Sequence, residues 1–132
     1  MSQENVELAR RFEAALDARE VPEDVMAPGF SIVNASTAVT ERTYHEAPGV
    51  IEWMKDMFEA FDAQARFELE QIVADGDDFV VAVCRMAGSG ATSGAPLVLR
   101  WAAVFWCLDG KLVRVVGYLR RRDALEAVGL RE

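Results

Sequence analysis

The chain has 132 residues, with 22 acidic against 14 basic side chains, a net charge of −8 and 52% hydrophobic residues. That is enough chain for one domain with a full core, and the acidity argues against a nucleic-acid partner, whose phosphates need basic clusters. No apolar run is long enough to span a bilayer, and the polar, acidic start (Met1-Ser-Gln-Glu-Asn-Val-Glu) is unlike a signal peptide, so a cytoplasmic protein is expected.

Asn5 to Ala18 is expected to be helical, because Val6, Ala9, Phe12 and Leu16 recur at three- and four-residue spacing. Pro22 suits the first position of a short helix, which Pro28-Gly29 ends. Phe30 to Ala35 reads as a strand with Phe30, Ile32 and Asn34 on one side, and Ser36 to Glu46 as irregular. Pro48 opens a third helix running to about Phe61, with Val50, Met54, Met57, Phe58 and Phe61 as its buried stripe and Trp53 beside it. Arg66–Ala74 and Asp78–Gly88 form a hairpin about Asp75-Gly76. Gly88 to Ala95 lacks the Gly-Lys-Ser/Thr ending of a phosphate loop and reads as a flexible connection.

Leu97–Leu108 and Lys111–Tyr118 flank Asp109-Gly110, a pair suited to a type I′ turn because both central residues must take positive φ. The first of these strands is apolar on both faces except at Arg100. Arg120-Arg121-Arg122, followed by Asp123 and Glu126, reads as the solvated start of a short helix with Asp123 as N-cap and Gly129 at its end. Cys84 and Cys107 lack metal-ligand spacing and read as reduced, buried small hydrophobes. Helices followed by antiparallel strands make an α+β domain, and a long sheet curled around helices forms a cone with a cavity at its mouth.

Four stretches resemble the SnoaL-like branch of the NTF2-like superfamily: Ser2-Gln-Glu-Asn-Val-Glu-Leu-Ala-Arg-Arg-Phe12; Thr43-Tyr44 with Gly49-Val-Ile-Glu-Trp53; Arg100-Trp-Ala-Ala-Val-Phe105 with Asp109-Gly-Lys-Leu-Val-Arg114; and Tyr118-Leu-Arg with Ala124-Leu-Glu-Ala-Val-Gly-Leu130. The resemblance implies a single domain over residues 1–132. Its fold would be a cone: a curved, mostly antiparallel sheet wrapped around an N-terminal helix pair and a third helix. The fold hosts isomerases, cyclases, dehydratases, epoxide hydrolases and binding modules alike.

Carried over residue by residue, the resemblance argues against two standard chemistries. Ketosteroid-isomerase relatives would place a donor tyrosine at Phe12, a carboxylate base near Ile32 and a second donor near Ala103, and this chain has none of the three. Limonene-epoxide-hydrolase relatives would keep Arg85 between two carboxylates, but Ala87 and Gly117 stand in their places.

The remaining catalytic candidates are His45, Arg85, Asn34 and Tyr44, beside Glu46; histidine is the residue type that titrates nearest neutrality. A lone histidine without a carboxylate pair supplies too few ligands for a metal, and no cofactor is called for. Arg85 shares parity with Phe79, Val81 and Val83 and is expected to point inward. The expected pocket comprises Phe12, Ile32, Asn34, Trp53, Phe58, Arg85, Trp101, Ala103, Phe105 and Gly117, with Ala87 as a further small wall residue, and suits a lipophilic ligand of modest size.

Three functions compete, in this order: a small-molecule pocket protein, an atypical isomerase, lyase or hydrolase, and a non-catalytic dimeric interaction module. A homodimer through the outer sheet face is expected, because Ala102, Val104 and Trp106, continued by Val80, Ala82, Cys84, Met86, Leu112 and Val116, form an apolar surface with no helix left to cover it.

Overall fold

Helix α1 (Ser2–Asp17) starts the computed structural model, which describes residues 2–35 and 42–131. Of the apolar stripe read from its sequence, Ala9, Phe12 and Leu16 lie in the core, while Val6 is only half-buried against it and Leu8, outside that stripe, is buried as well. The helix ends in a Schellman motif, with Glu20 N–H bonded to Ala15 O at 2.8 Å and Arg19 N–H to Leu16 O at 3.0 Å. Arg19 takes the left-handed position at φ 61 where glycine is usual. Its side chain offsets that strain: the guanidinium lies 3.5 Å from the Phe58 ring centroid and donates to Ala65 O at 2.6 Å.

A single 3₁₀ turn (Glu23–Val25) leads into β1 (Met26–Asn34), which starts four residues earlier than the sequence suggests. The short helix ends at Val25 and not at Pro28-Gly29. That pair lies inside the strand, at an irregularity between Met26 and Ser31 in the pairing with the last strand. Residues 36–41 of the segment read as irregular lie outside the described residues, and Arg42–His45 forms a short edge strand, β2. Helix α2 (Glu46–Phe58) follows at once. A Cβ on Gly49 would stand 2.6 Å from the Tyr44 carbonyl carbon, so only glycine lets the helix turn back this closely on β2.

Strands β3 (Arg66–Asp75), β4 (Phe79–Ser89), β5 (Pro96–Leu108) and β6 (Lys111–Tyr118) complete a six-stranded sheet in the order β2-β1-β6-β5-β4-β3. All pairs are antiparallel except β1 with β6. The β5–β6 turn is as expected from Asp109-Gly110, with φ of 51 and 74. Helix α3 (Arg121–Ala127) begins two residues before Asp123, with Arg120 at its N-cap and no side-chain cap. Asp123 instead lies in the first turn, where a negative charge complements the helix dipole.

The sheet has two apolar faces. The inner one packs on α1 and α2 and contains Val80, Ala82, Cys84, Met86, Ala103, Phe105, Leu112 and Val115. The outer one contains Val81, Ala102 and Val104 with Phe79 and Trp106, and α3 lays Ala124 and Leu125 onto it.

Two expectations are corrected here. Alternate β4 residues face opposite to the expected sense, because β5 pairs Cys84 with Trp101 and Ala82 with Ala103, and cross-strand partners share a face. The outer apolar surface is also much smaller than expected, since Val80, Ala82, Cys84, Met86 and Leu112 all turn inward and α3 covers part of what remains.

Candidate functional site

Where α1 crosses the inner face, Phe12 meets Phe30 at 5.6 Å and the edge of Phe105 at 6.0 Å between ring centroids. On the other side stand three more rings: Phe67 stacks on Trp101 at 5.5 Å, and Trp53 lies 6.0 Å from Phe67 and 6.5 Å from Trp101. Between the two groups is a cavity of about 20 Å³, room for one water molecule. Its walls are Phe12, Leu16, Ile32, Trp53, Phe67 and Cys84, together with Ala103, Phe105 and Val115. Asn34, Trp101 and Gly117 also line it, and they alone among its lining residues are only half-buried, so they form its mouth.

Eight expected pocket residues therefore come together: Phe12, Ile32, Asn34, Trp53, Trp101, Ala103, Phe105 and Gly117. Phe58 does not join them; it packs at the core's margin under Arg19. Arg85 is on the opposite face. Its guanidinium donates to Glu68 at 2.5 Å, and Glu70, 3.8 Å away, also binds Arg100 at 3.2 Å. Burying an unpaired guanidinium would be costly, and the β4 register avoids this by turning it to the solvent side. Ala87, which pairs with Arg66 and Val98, lies on that side too.

Leu16, Phe67, Cys84 and Val115 line the cavity without having been expected there. Leu16 was already on the buried stripe of α1. Cys84 follows from Trp101 once the β4–β5 register is fixed.

Asn34 is the polar point of the cavity. The Trp53 indole N–H donates to its Oδ1 at 3.3 Å, which orients the amide at the mouth. Cys84 is fully buried, and burial pushes its thiol well up from the ordinary range, so it contributes volume and not a thiolate. No carboxylate or basic side chain is among the described residues that line the cavity.

The other catalytic candidates lie elsewhere. Tyr44 is buried on β2; its hydroxyl donates to Asp56 at 2.8 Å, and Arg42 covers its ring at 4.5 Å while bridging Asp56 and Glu52. Burial and the Asp56 contact push the Tyr44 phenol up to about 12, so it stays protonated. His45 is exposed at the N-cap of α2 without a side-chain cap bond, and Glu46 is exposed beside it. Among the described residues no group of three or more histidines, cysteines or carboxylates could hold a metal ion, and no helix is long and apolar enough to cross a membrane.

The sequence profile of the SnoaL-like domain matches residues 9–115. No curated protein sequence matches the chain. Among solved structures, a protein from Jannaschia sp. CCS1, provisionally described as a SnoaL-like polyketide cyclase, superposes with a TM-score of 0.70 at 19% identity, covering 89% of this chain and 85% of its own. An NTF2-like protein of unknown function from Mesorhizobium loti gives 0.68 at 20% identity over 90% and 93%. TerC, co-crystallised with polyporic acid, gives 0.71 at 16% identity over 89% and 92%. At these identities the structural likeness speaks for the cone fold, and with the profile match across most of the sequence the chain belongs to the SnoaL-like domain family.

Proposed function

We propose that this chain is a small-molecule pocket protein that holds an uncharged hydrophobic ligand of modest size in the inner cavity, with Asn34 as its polar contact. One observation carries the reading: a cavity walled by aromatic and aliphatic side chains, with a single amide at its half-buried mouth. An apolar lining with few, fixed polar groups is how small-molecule sites gain both affinity and orientation. A structural relative, TerC, has been crystallised with polyporic acid. At about 20 Å³ the cavity has room for only one water molecule, whereas ligand pockets typically enclose ~300–1,000 Å³. Binding therefore requires the mouth to open, and Trp101 is the large side chain there that is only half-buried.

The test is a thermal-shift screen with neutral hydrophobic carbonyl compounds, lactones and epoxides. Carbonyl-bearing members should raise the melting temperature, and Asn34→Ala should diminish that rise more for them than for hydrocarbons of the same size. A screen in which only charged compounds stabilise the protein overturns the reading.

The second reading, an atypical isomerase, lyase or hydrolase, ranks lower because only Asn34 of the four catalytic candidates borders the cavity. Turnover of ketosteroid or limonene-type epoxide substrates at the rate of a dedicated enzyme would reverse that order. We also propose a homodimer through what α3 leaves open of the outer face, around Trp106, Arg114 and Leu108, where an open hollow of about 500 Å³ lies; Trp106→Glu should abolish this outer-face contact. The two free, buried cysteines fit a reducing, cytoplasmic setting.

A further inference from the structure

Strand β5 lies in the middle of the sheet, yet half of it is an edge. Its pairing with β6 stops at Ala102, opposite Tyr118. Its pairing with β4 continues to Pro96, opposite Ser89, without a register shift. Among the described residues nothing pairs with Leu97–Arg100 on the β6 side. This open edge carries Leu97, Val98 and Leu99 at 37%, 47% and 37% exposure. Proteins ordinarily protect such edges with a bulge, a proline or inward-pointing charge; here Pro96 stands at the strand's first position and no bulge interrupts the run.

We propose that this edge pairs, antiparallel and about a twofold axis, with the same edge of a second copy. The sequence complements itself in one register. With Val98 opposite Val98 of the partner subunit, Leu97 meets Leu99 of the partner subunit on the inner side, and Arg100 falls across from Pro96 of the partner subunit. Apolar residues then meet apolar ones, and no like charges stand opposite each other. Backbone bonds form in this register whichever alternate residues turn their N–H and C=O groups outward.

The pairing has a consequence for the cavity. Trp101 at its mouth is the next residue on the same side as Leu99, so Leu97 of the partner subunit comes to lie diagonal to it, within reach of an indole. The second copy thus adds an apolar rim to the mouth. A contact this short buries less than the roughly 1,200–2,000 Å² of a standard stable interface, so it is a weak, concentration-dependent association. It lies on a different surface from the outer hollow around Trp106.

Val98→Cys tests it directly. Opposed residues of an antiparallel pair stand about 4.5–5.5 Å apart at Cα, within disulfide range. Under mild oxidation Val98→Cys should give a linked dimer well ahead of Leu130→Cys, an exposed site elsewhere. Val98→Lys should weaken self-association on the order of tenfold, and mixing it with Val98→Glu should restore a dimer. Trp106→Glu, by contrast, should leave this association in place. Cross-linking of Val98→Cys no faster than Leu130→Cys, a Lys/Glu mixture that associates no more tightly than Val98→Lys alone, or association that vanishes with Trp106→Glu while Val98→Lys has no effect would each overturn the proposal.

Discussion

Replacing Gly117 by alanine should stabilise the protein and impair its pocket together. Gly117 sits within β6, paired with Ala103 and with Asn34. A Cβ there would stand 3.6 Å from Trp101 Cδ1, 3.7 Å from Asn34 Oδ1 and 3.8 Å from Val33 O, all ordinary contacts. With no steric penalty, the main effect is the smaller conformational freedom of the unfolded chain, worth about 0.4–1 kcal/mol. For a domain of this size that is a rise in Tm of roughly 1–5 °C. The new methyl would lie between the other two residues of the mouth, narrowing access to a cavity of only about 20 Å³. Urea denaturation and thermal melts measure the first effect, and the shift caused by hydrophobic ligands measures the second. A loss of stability would show that the backbone or Trp101 cannot accept the methyl. An undiminished ligand shift would show that access lies elsewhere.

Asp17→Asn should cost about 1–2 kcal/mol, since its carboxylate accepts both Arg66 at 2.6 Å and the Phe67 N–H at 2.9 Å. The Arg66 hydrogen bond, chiefly, holds this carboxyl below its ordinary range; its contribution is therefore complete above that range and disappears as pH falls through the lowered value, which acid-side melts of both proteins would detect. Glu13 has the opposite sign: desolvation first, then the Asp17 charge, raises its carboxyl. Stability should fall as pH rises from its unfolded to its folded value, so Glu13→Gln should stabilise at neutral pH and have no effect in acid. Tyr44→Phe should cost roughly 0.5–1.5 kcal/mol by removing the donor to Asp56, and a UV-monitored alkaline titration should find a phenol ionising at about 12 that this variant lacks.

The parts of this fold that local chemistry dictates were legible in the sequence. The stripe Ala9-Phe12-Leu16 identifies the buried face of α1, and Asp109-Gly110 identifies the turn that joins the two strands carrying Trp101, Ala103 and Gly117. Strand β4 was not legible in this way. From Phe79 to Met86 both of its faces are apolar apart from Arg85, so alternation alone cannot say which is inward. The information sits in the partner strand: once Pro96 is opposite Ser89, Trp101 falls on Cys84, and Arg85 must turn outward to Glu68. Edge strand β2 was missed for a related reason. Arg42–His45 is four residues long and polar on its exposed side, and it is a strand because β1 offers it partners from Ser31 to Asn34. The placement of α3 was likewise out of reach, since its short Ala124-Leu125 patch could cap either face.

The parallel seam between β1 and β6 also bears on how the protein comes to be made. Ser31 pairs with Arg114 and Ile32 with Val115, so the loop closed by this seam takes in most of the chain. During synthesis β1 leaves the ribosome long before its partner exists. The hairpins β3–β4 and β4–β5 close over short loops and can form while β1 waits, exposing Phe30 and Ile32, which the finished fold buries. Contacts this distant in sequence slow folding, because the loop-closure entropy falls due before any contact offsets it. The β1–β6 junction, which includes the Asn34–Gly117 pair at the cavity mouth, is therefore the part of the sheet that has to form last.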